Sequence, residues 1–160
     1  LSVNVSVRQF NRPHFAEEVL AVLQRTGAPA KMLKLEITES LLLKGTGQVL
    51  DTIHRLRDAG VLFSVDDFGT GYSSLAYLQN LPIDELKIDQ SFVRPLNNKA
   101  GGSAIVNTIL TLARELGLRI VAEGVETTAQ FDTLHALGCE CFQGYLFGRP
   151  ELIDHPAPGG

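Results

Sequence analysis

Cysteine, positive charge and long apolar runs are all scarce in this chain. Cys139 and Cys141 form a lone C-x-C with no second pair to complete a zinc site, so two reduced thiols beside a buried strand are expected. No apolar stretch approaches the roughly 18 residues of a spanning helix, and no export signal is visible. A cytoplasmic location is therefore expected, free or as the cytoplasmic part of a membrane-anchored protein, with no direct membrane contact from this segment. The net charge of −4 leaves no basic face for DNA or RNA. An anionic substrate would need metal ions or a local Lys or Arg. No G-x-G-x-x-G or P-loop follows the first strand-like run, which weakens a nucleotide-binding open sheet.

What is present is a regular alternation. The 160 residues are enough for one domain with its own core. Alternating valines predict a strand over Leu1–Val7, and Pro13 predicts a helix start with Gly27 as its stop. Further strands are expected at Met32–Thr38, Val61–Asp66, Glu85–Asp89, Arg119–Glu123 and Cys141–Leu146. Helices are expected through Val49, Ile53 and Leu56 to Gly60, from Ser73 to before Pro82, over Ser103–Leu116, and from a capping box at Thr127 and Gln130 to Gly138. Residues 151–160 read as a flexible tail. Strict strand–helix alternation predicts a parallel sheet covered by helices, either doubly wound or a (β/α)8 barrel.

Each strand carries a polar residue among apolar ones: Asn4, Glu36, Asp66, Lys87, Glu123 and Gln143. Their apolar neighbours point to the helices, so the polar side chains point to the other face. In an open sheet both faces are covered, and six buried polar groups would be hard to satisfy. In a barrel they converge at the C-terminal mouth. Asp66 and Asp67 together open a glycine-rich loop. The pair is read either as a metal site or as an Asx turn. Asn4, Glu36, Asp66, Asp67 and Glu123 offer only oxygen donors, which suit Mg²⁺, Mn²⁺ or Ca²⁺. His14, His54 and His135 fall in helices and His155 in the tail, so zinc is not expected. Five oxygen-donor residues exceed what one Mg²⁺ takes from protein, and two ions about 3.5–4 Å apart serve phosphoryl chemistry. Lys87 among these acids could orient a water or neutralise developing charge. The residues thus describe a metal-dependent phosphoester hydrolase.

Six segments carry a family resemblance: V-N-V-S, L-E-I-T-E-S, V-D-D-F-G-T-G-Y-S-S-L, L-K-I-D-Q-S-F-V, I-V-A-E-G-V-E-T and F-Q-G-Y-L-F-G-R-P. In order, they resemble the signature blocks of EAL domains, bacterial phosphodiesterases of cyclic di-GMP, over residues 1–150. The resemblance implies a (β/α)8 TIM-type barrel with an antiparallel first strand, present here as a fragment with about six of the strands. It implies hydrolysis of cyclic di-GMP to linear 5′-pGpG with two Mg²⁺ or Mn²⁺ ions, Ca²⁺ being inhibitory. By motif, Asn4, Glu36 and Asp66 match ligands of one ion, and Asp66, Asp67 and Glu123 ligands of the second. Lys87 matches the residue that contacts the attacking water. Gln143 and Pro150 match supporting substrate contacts. Glu39 matches the anchor of a regulatory loop of Phe68, Gly69, Thr70, Gly71, Tyr72 and Ser73, which the resemblance places at a homodimer interface. Glu126 stays open between a cap and a functional role.

No E-A-L occurs in the chain. In the family that motif lies on the strand before the one that begins here, and its glutamate binds the first metal. The isolated 160 residues are therefore expected to be inactive and poorly soluble. A degenerate EAL domain, acting as a cyclic di-GMP receptor or as a dimeric scaffold, is the alternative. The resemblance also leaves room for a fused sensor or GGDEF domain outside this chain.

Overall fold

The computed structural model describes residues 1–43, 47–69, 81–97 and 102–151. Its strands are β1 (Ser2–Asn4), β2 (Lys34–Thr38), β3 (Leu62–Phe68), β4 (Glu85–Ile88), β5 (Arg119–Ala122) and β6 (Cys141–Phe142). All neighbours pair parallel, and their order in the sheet is their order in the chain. A doubly wound sheet reverses its strand order at a switch point. This sheet never does. It is the wall of a (β/α)8-type barrel, six strands of it, open as a half-barrel.

The alternation within each strand builds the core. Leu35, Ile37, Phe63, Val65, Leu86, Ile88 and Ala122 are buried on the outer face. Val49, Ile53 and Leu56 come from helix Gly47–Asp58, Val106, Leu110 and Ala113 from helix Gly102–Glu115, and Leu134 from helix Thr128–Ala136. Burying a side chain such as Phe63 contributes roughly 1.5–3 kcal/mol. Helix Phe15–Thr26 stops at Gly27, whose φ of 67° continues the chain in the left-handed region. Helix Thr128–Ala136 starts at the expected capping box, with Thr127 and Gln130 reciprocally bonded.

Several boundaries differ from expectation. β1 ends at Asn4, not Val7. The Gln9 N–H donates to Ser6 Oγ at 3.2 Å and the Ser6 N–H to Gln9 Oε1 at 3.1 Å, a capping box that turns the chain into the short helix Val7–Phe10. Pro13 lies in a turn, and the next helix begins at Phe15 after His14 in the left-handed region. β3 runs two residues further, to Phe68. β6 covers only Cys141–Phe142. Beyond it the chain leaves the sheet to bond the loop after β5, with the Val125 N–H donating to the Gln143 carbonyl and the Leu146 N–H to the Val125 carbonyl. Gly144 fits there because a Cβ would stand 2.2 Å from that same carbonyl oxygen. Short helices at Glu39–Leu43 and Gln90–Val93 went unread in the sequence. The helix expected from Ser73, the loop residues Thr70, Gly71, Tyr72 and Ser73, and the tail after Glu151 lie outside the described residues. No described helix is long and apolar enough to cross a membrane.

Candidate functional site

Glu36 on β2, Asp66 on β3, Lys87 on β4 and Glu123 just after β5 share the inner face of the half-barrel near its C-terminal end. They meet at one point. The Lys87 ammonium lies 2.7 Å from Glu36 Oε2, 3.2 Å from Asp66 Oδ1 and 2.5 Å from Glu123 Oε1. Lys87 and Glu36 are only 5% and 8% exposed. Burial pulls the Lys87 ammonium toward deprotonation, but its bonds to Glu123 and Glu36 outweigh that and push its pKa above the usual lysine value. Lys87 is therefore a fixed cation at neutral pH. One cation cannot neutralise three acids. Burial, with Asp66 and Glu36 nearby, pushes the Glu123 carboxyl up although Lys87 opposes this.

Asp67 shows how two successive side chains can serve one mouth. Strict alternation would send it to the helix side. Instead β3 carries a bulge: Val65 pairs with Leu86 and Phe68 with Ile88, so Asp66 and Asp67 together span the place of Lys87 alone. Asp67 sits there at a φ of 54°, in the left-handed region, which aspartate tolerates better than most residues. Its N–H donates to Asp66 Oδ1 at 3.2 Å. That bond joins adjacent residues and falls one short of an Asx turn, which reaches the N–H two residues on, so the pair stands as two neighbouring acids at a bulge. Burial, then Asp66 and Asp89, push the Asp67 carboxyl up. Asp89 caps helix Gln90–Val93 by accepting from the Ser91 N–H at 2.9 Å. Burial raises the pKa of Asp89, but the bonds from Ser91 outweigh it and leave the value lowered.

Beside the acids lies a cavity of about 320 Å³ lined by Asp67, Asp89, Arg94, Glu123, Glu126 and Gln143, among others. Gly124 lets the chain turn directly after Glu123, since its φ is 65° and a Cβ would stand 2.5 Å from Gln90 Cβ. Gln143 is exposed at the rim. Asn4 is exposed on β1, in register with Glu36. Pro150 is exposed and does not line the cavity. Glu39 is buried, and its Oε2 accepts from the Gly69 N–H at 3.0 Å, tying the start of the loop to helix Glu39–Leu43. The Glu126 N–H donates to Gln130 Oε1, which places Glu126 at a helix start while its residue still lines the cavity.

Sequence reasoning missed Asp89 and Arg94, although the L-K-I-D segment already put an acid one residue past β4. It also missed a lower polar layer. Lys34, Ser64 and Glu85 stand two residues before Glu36, Asp66 and Lys87 on the same strands. Lys34 Nζ bonds both Glu85 oxygens, at 2.8 and 2.7 Å, and the Ser64 hydroxyl donates to Glu85 Oε1 at 3.1 Å. The signal for Lys34 was the alternation K-L-E-I-T itself, with polar residues at 34, 36 and 38.

Among the described residues, no three His, Cys, Asp or Glu side chains enclose a metal as they stand. Glu36, Asp66 and Glu123 nevertheless converge on one cationic centre. With Asp67 and Asn4 they present only oxygen donors, the chemistry that hard divalent cations require.

Comparison with known proteins agrees with this geometry. The EAL domain model matches residues 1–150. The cyclic di-GMP phosphodiesterase NbdA of Pseudomonas aeruginosa is 43% identical over 150 residues, 94% of this chain and 19% of that protein. The bifunctional diguanylate cyclase/cyclic di-GMP phosphodiesterase MucR of the same organism is 45% identical over 94% of this chain and 22% of its own length. The chain thus spans about a fifth of these curated relatives. Among solved structures, the PaMucR phosphodiesterase in complex with c-di-GMP superposes with a TM-score of 0.90 at 45% identity, over 95% of this chain and 62% of that one. Klebsiella pneumoniae BlrP1 in a manganese/cyclic di-GMP complex gives 0.84 at 31% identity, over 94% and 38%.

Proposed function

Since the chain belongs to the EAL domain family, we propose that it carries the main part of the active site of a cyclic di-GMP phosphodiesterase, giving linear 5′-pGpG. The observation that carries this reading is the Lys87 ammonium held by Glu36, Asp66 and Glu123 at the mouth of parallel barrel strands. Asn4, Glu36 and Asp66 would hold one divalent ion, and Asp66, Asp67 and Glu123 the other, with Mg²⁺ or Mn²⁺ active and Ca²⁺ inhibitory. Such ions activate water and stabilise charge on the phosphoryl oxygens. Lys87 faces the mouth as an ammonium among carboxylates, placed to donate a hydrogen bond rather than to accept a proton. It donates a hydrogen bond to the attacking water and stabilises the charge that develops on oxygen. The negative mouth excludes a bare anionic substrate, which makes the divalent ions a condition of binding the phosphates.

Glu39 anchors the loop that begins at Phe68 and Gly69, and we place a homodimer contact on that loop. The outer face at the sheet-end strand β1 carries an apolar groove of about 700 Å³ lined by Leu1, Val3, Val5, Val19, Leu23 and Leu35. We assign that groove to further barrel elements of the whole protein, so these 160 residues alone are expected to show no turnover.

Calorimetry and product chromatography on the whole natural protein test the proposal. Cyclic di-GMP should bind in Ca²⁺ without turnover and be cleaved in Mg²⁺ or Mn²⁺. Binding without cleavage in Mn²⁺ would make the domain a receptor, and absence of binding would make it a scaffold.

A further inference from the structure

The lower polar layer has no part in the chemistry described so far. Lys34, Ser64 and Glu85 lie one pleat beneath Glu36, Asp66 and Lys87. Residues two apart on a strand are about 7 Å apart on one face. Glu85 therefore sits within reach of the long Lys87 side chain, from below. Its carboxylate is 5% exposed and cannot be satisfied by water. Both its oxygens are taken by the Lys34 ammonium, and Ser64 adds a third bond. The other cation facing it, Arg119, stands 3.9 Å away with its side chain 57% exposed. The Lys87 ammonium has three N–H donors, and three carboxylates of the mouth take them. A fourth acceptor would have to draw the ammonium away from one of these.

We propose that Lys34 is a positioning residue that neutralises Glu85 and so keeps the Lys87 ammonium committed to the mouth acids. Without Lys34, the buried Glu85 carboxylate captures Lys87 and pulls it down the barrel. The mouth then loses its water-orienting cation and becomes more negative. The inference rests on the assignment of Lys87 and its acids to phosphodiesterase chemistry, but one of its two readouts does not need turnover.

The test uses Lys34→Met and Lys34→Met/Glu85→Gln in the whole natural protein, each checked for folding by its thermal midpoint. Lys34→Met is expected to lower kcat about tenfold or more, the scale of a displaced catalytic group, with KM little changed. In the same variant, Mn²⁺ affinity measured by calorimetry without substrate should rise, because the competing ammonium has left the acids. Glu85→Gln in the double variant removes the captor, and kcat and Mn²⁺ affinity should both return toward wild type. A merely structural pair would lower kcat and Mn²⁺ affinity together. Unchanged kcat and Mn²⁺ affinity in folded Lys34→Met, or a folded double variant no better than the single, would overturn the proposal. Should Lys34→Met fail to fold, a folded double variant with kcat well below wild type would overturn it too. If wild type shows no turnover at all, the phosphodiesterase reading fails, while the Mn²⁺ shift still decides the role of Lys34.

Discussion

The two polar layers of the half-barrel are built by the same strands in opposite charge order. In the lower layer β2 supplies the cation, Lys34, and β4 the acid, Glu85. In the upper layer β2 supplies an acid, Glu36, and β4 the cation, Lys87. The lower layer is closed, with one lysine and one carboxylate bonded through both oxygens. The upper layer is left open, with one lysine among three carboxylates and a fourth at the bulge. A buried pair that balances needs no ligand, whereas excess negative charge at a strand-end mouth calls for cations from outside.

Breaking the upper layer should have the larger effect. Lys87→Met removes the cation that three acids share, and turnover should fall by about 10²–10³-fold, as for loss of an oriented donor. The fold should also weaken by roughly 3–5 kcal/mol, as when one partner of a buried pair is removed. Added Mn²⁺ should recover part of that loss in a thermal melt.

Breaking the lower layer should cost less. Lys34→Met alone leaves Glu85 to be neutralised only by drawing Lys87 from its own acids, and should lower stability by about 3 kcal/mol by denaturant titration, while Lys34→Met/Glu85→Leu, an apolar replacement of the pair, should come out near neutral. Equal losses in single and double variants would mean that the layer holds the barrel by packing rather than by charge.

The smallest effect runs the other way. Asp67→Asn removes a charge that burial, Asp66 and Asp89 disfavour, and asparagine keeps the left-handed backbone. The Asp67 carboxyl is raised in the folded state, so the native form binds the proton more tightly and stability falls as pH rises through the ordinary carboxylate range. The variant should therefore gain stability at pH 7, by no more than a few tenths of a kcal/mol because Asp67 is exposed and its charge screened. That gain should vanish below about pH 3, where Asp67 is protonated in both states. Its turnover should drop, which would separate the stability of the mouth from its function. Lys87 has the opposite sign. Its raised value keeps its stabilisation intact at neutral pH and surrenders it only as pH climbs beyond the ordinary lysine range.

Much of this was legible in the sequence, for a physical reason. Period-two alternation reports which side chains face inward, so Glu36, Asp66, Lys87 and Glu123 could be placed at one mouth from their apolar neighbours alone. What escaped depended on contacts distant in sequence or on competing local rules. The bulge at Asp66 and Asp67 is set by pairing with Leu86 and Ile88, which no local pattern encodes. The early end of β6 follows from Gly144 packing against Val125. At Ser6 two local signals conflicted: the valine alternation read as strand, and the capping box with Gln9 won. Of the lower layer only Lys34 shows in K-L-E-I-T; its partners Ser64 and Glu85 are set by register across β3 and β4, which no local pattern encodes.

The most direct test of the account is the rate of cyclic di-GMP cleavage by Asp66→Asn in the whole natural protein with Mn²⁺. Asp66 stands at the centre of the mouth, sharing Lys87 with Glu36 and Glu123, and is assigned to both ions. Its neutralisation should abolish linear product while leaving the lower layer and the fold intact. A folded Asp66→Asn protein that cleaves at near wild-type rate would contradict the central claim.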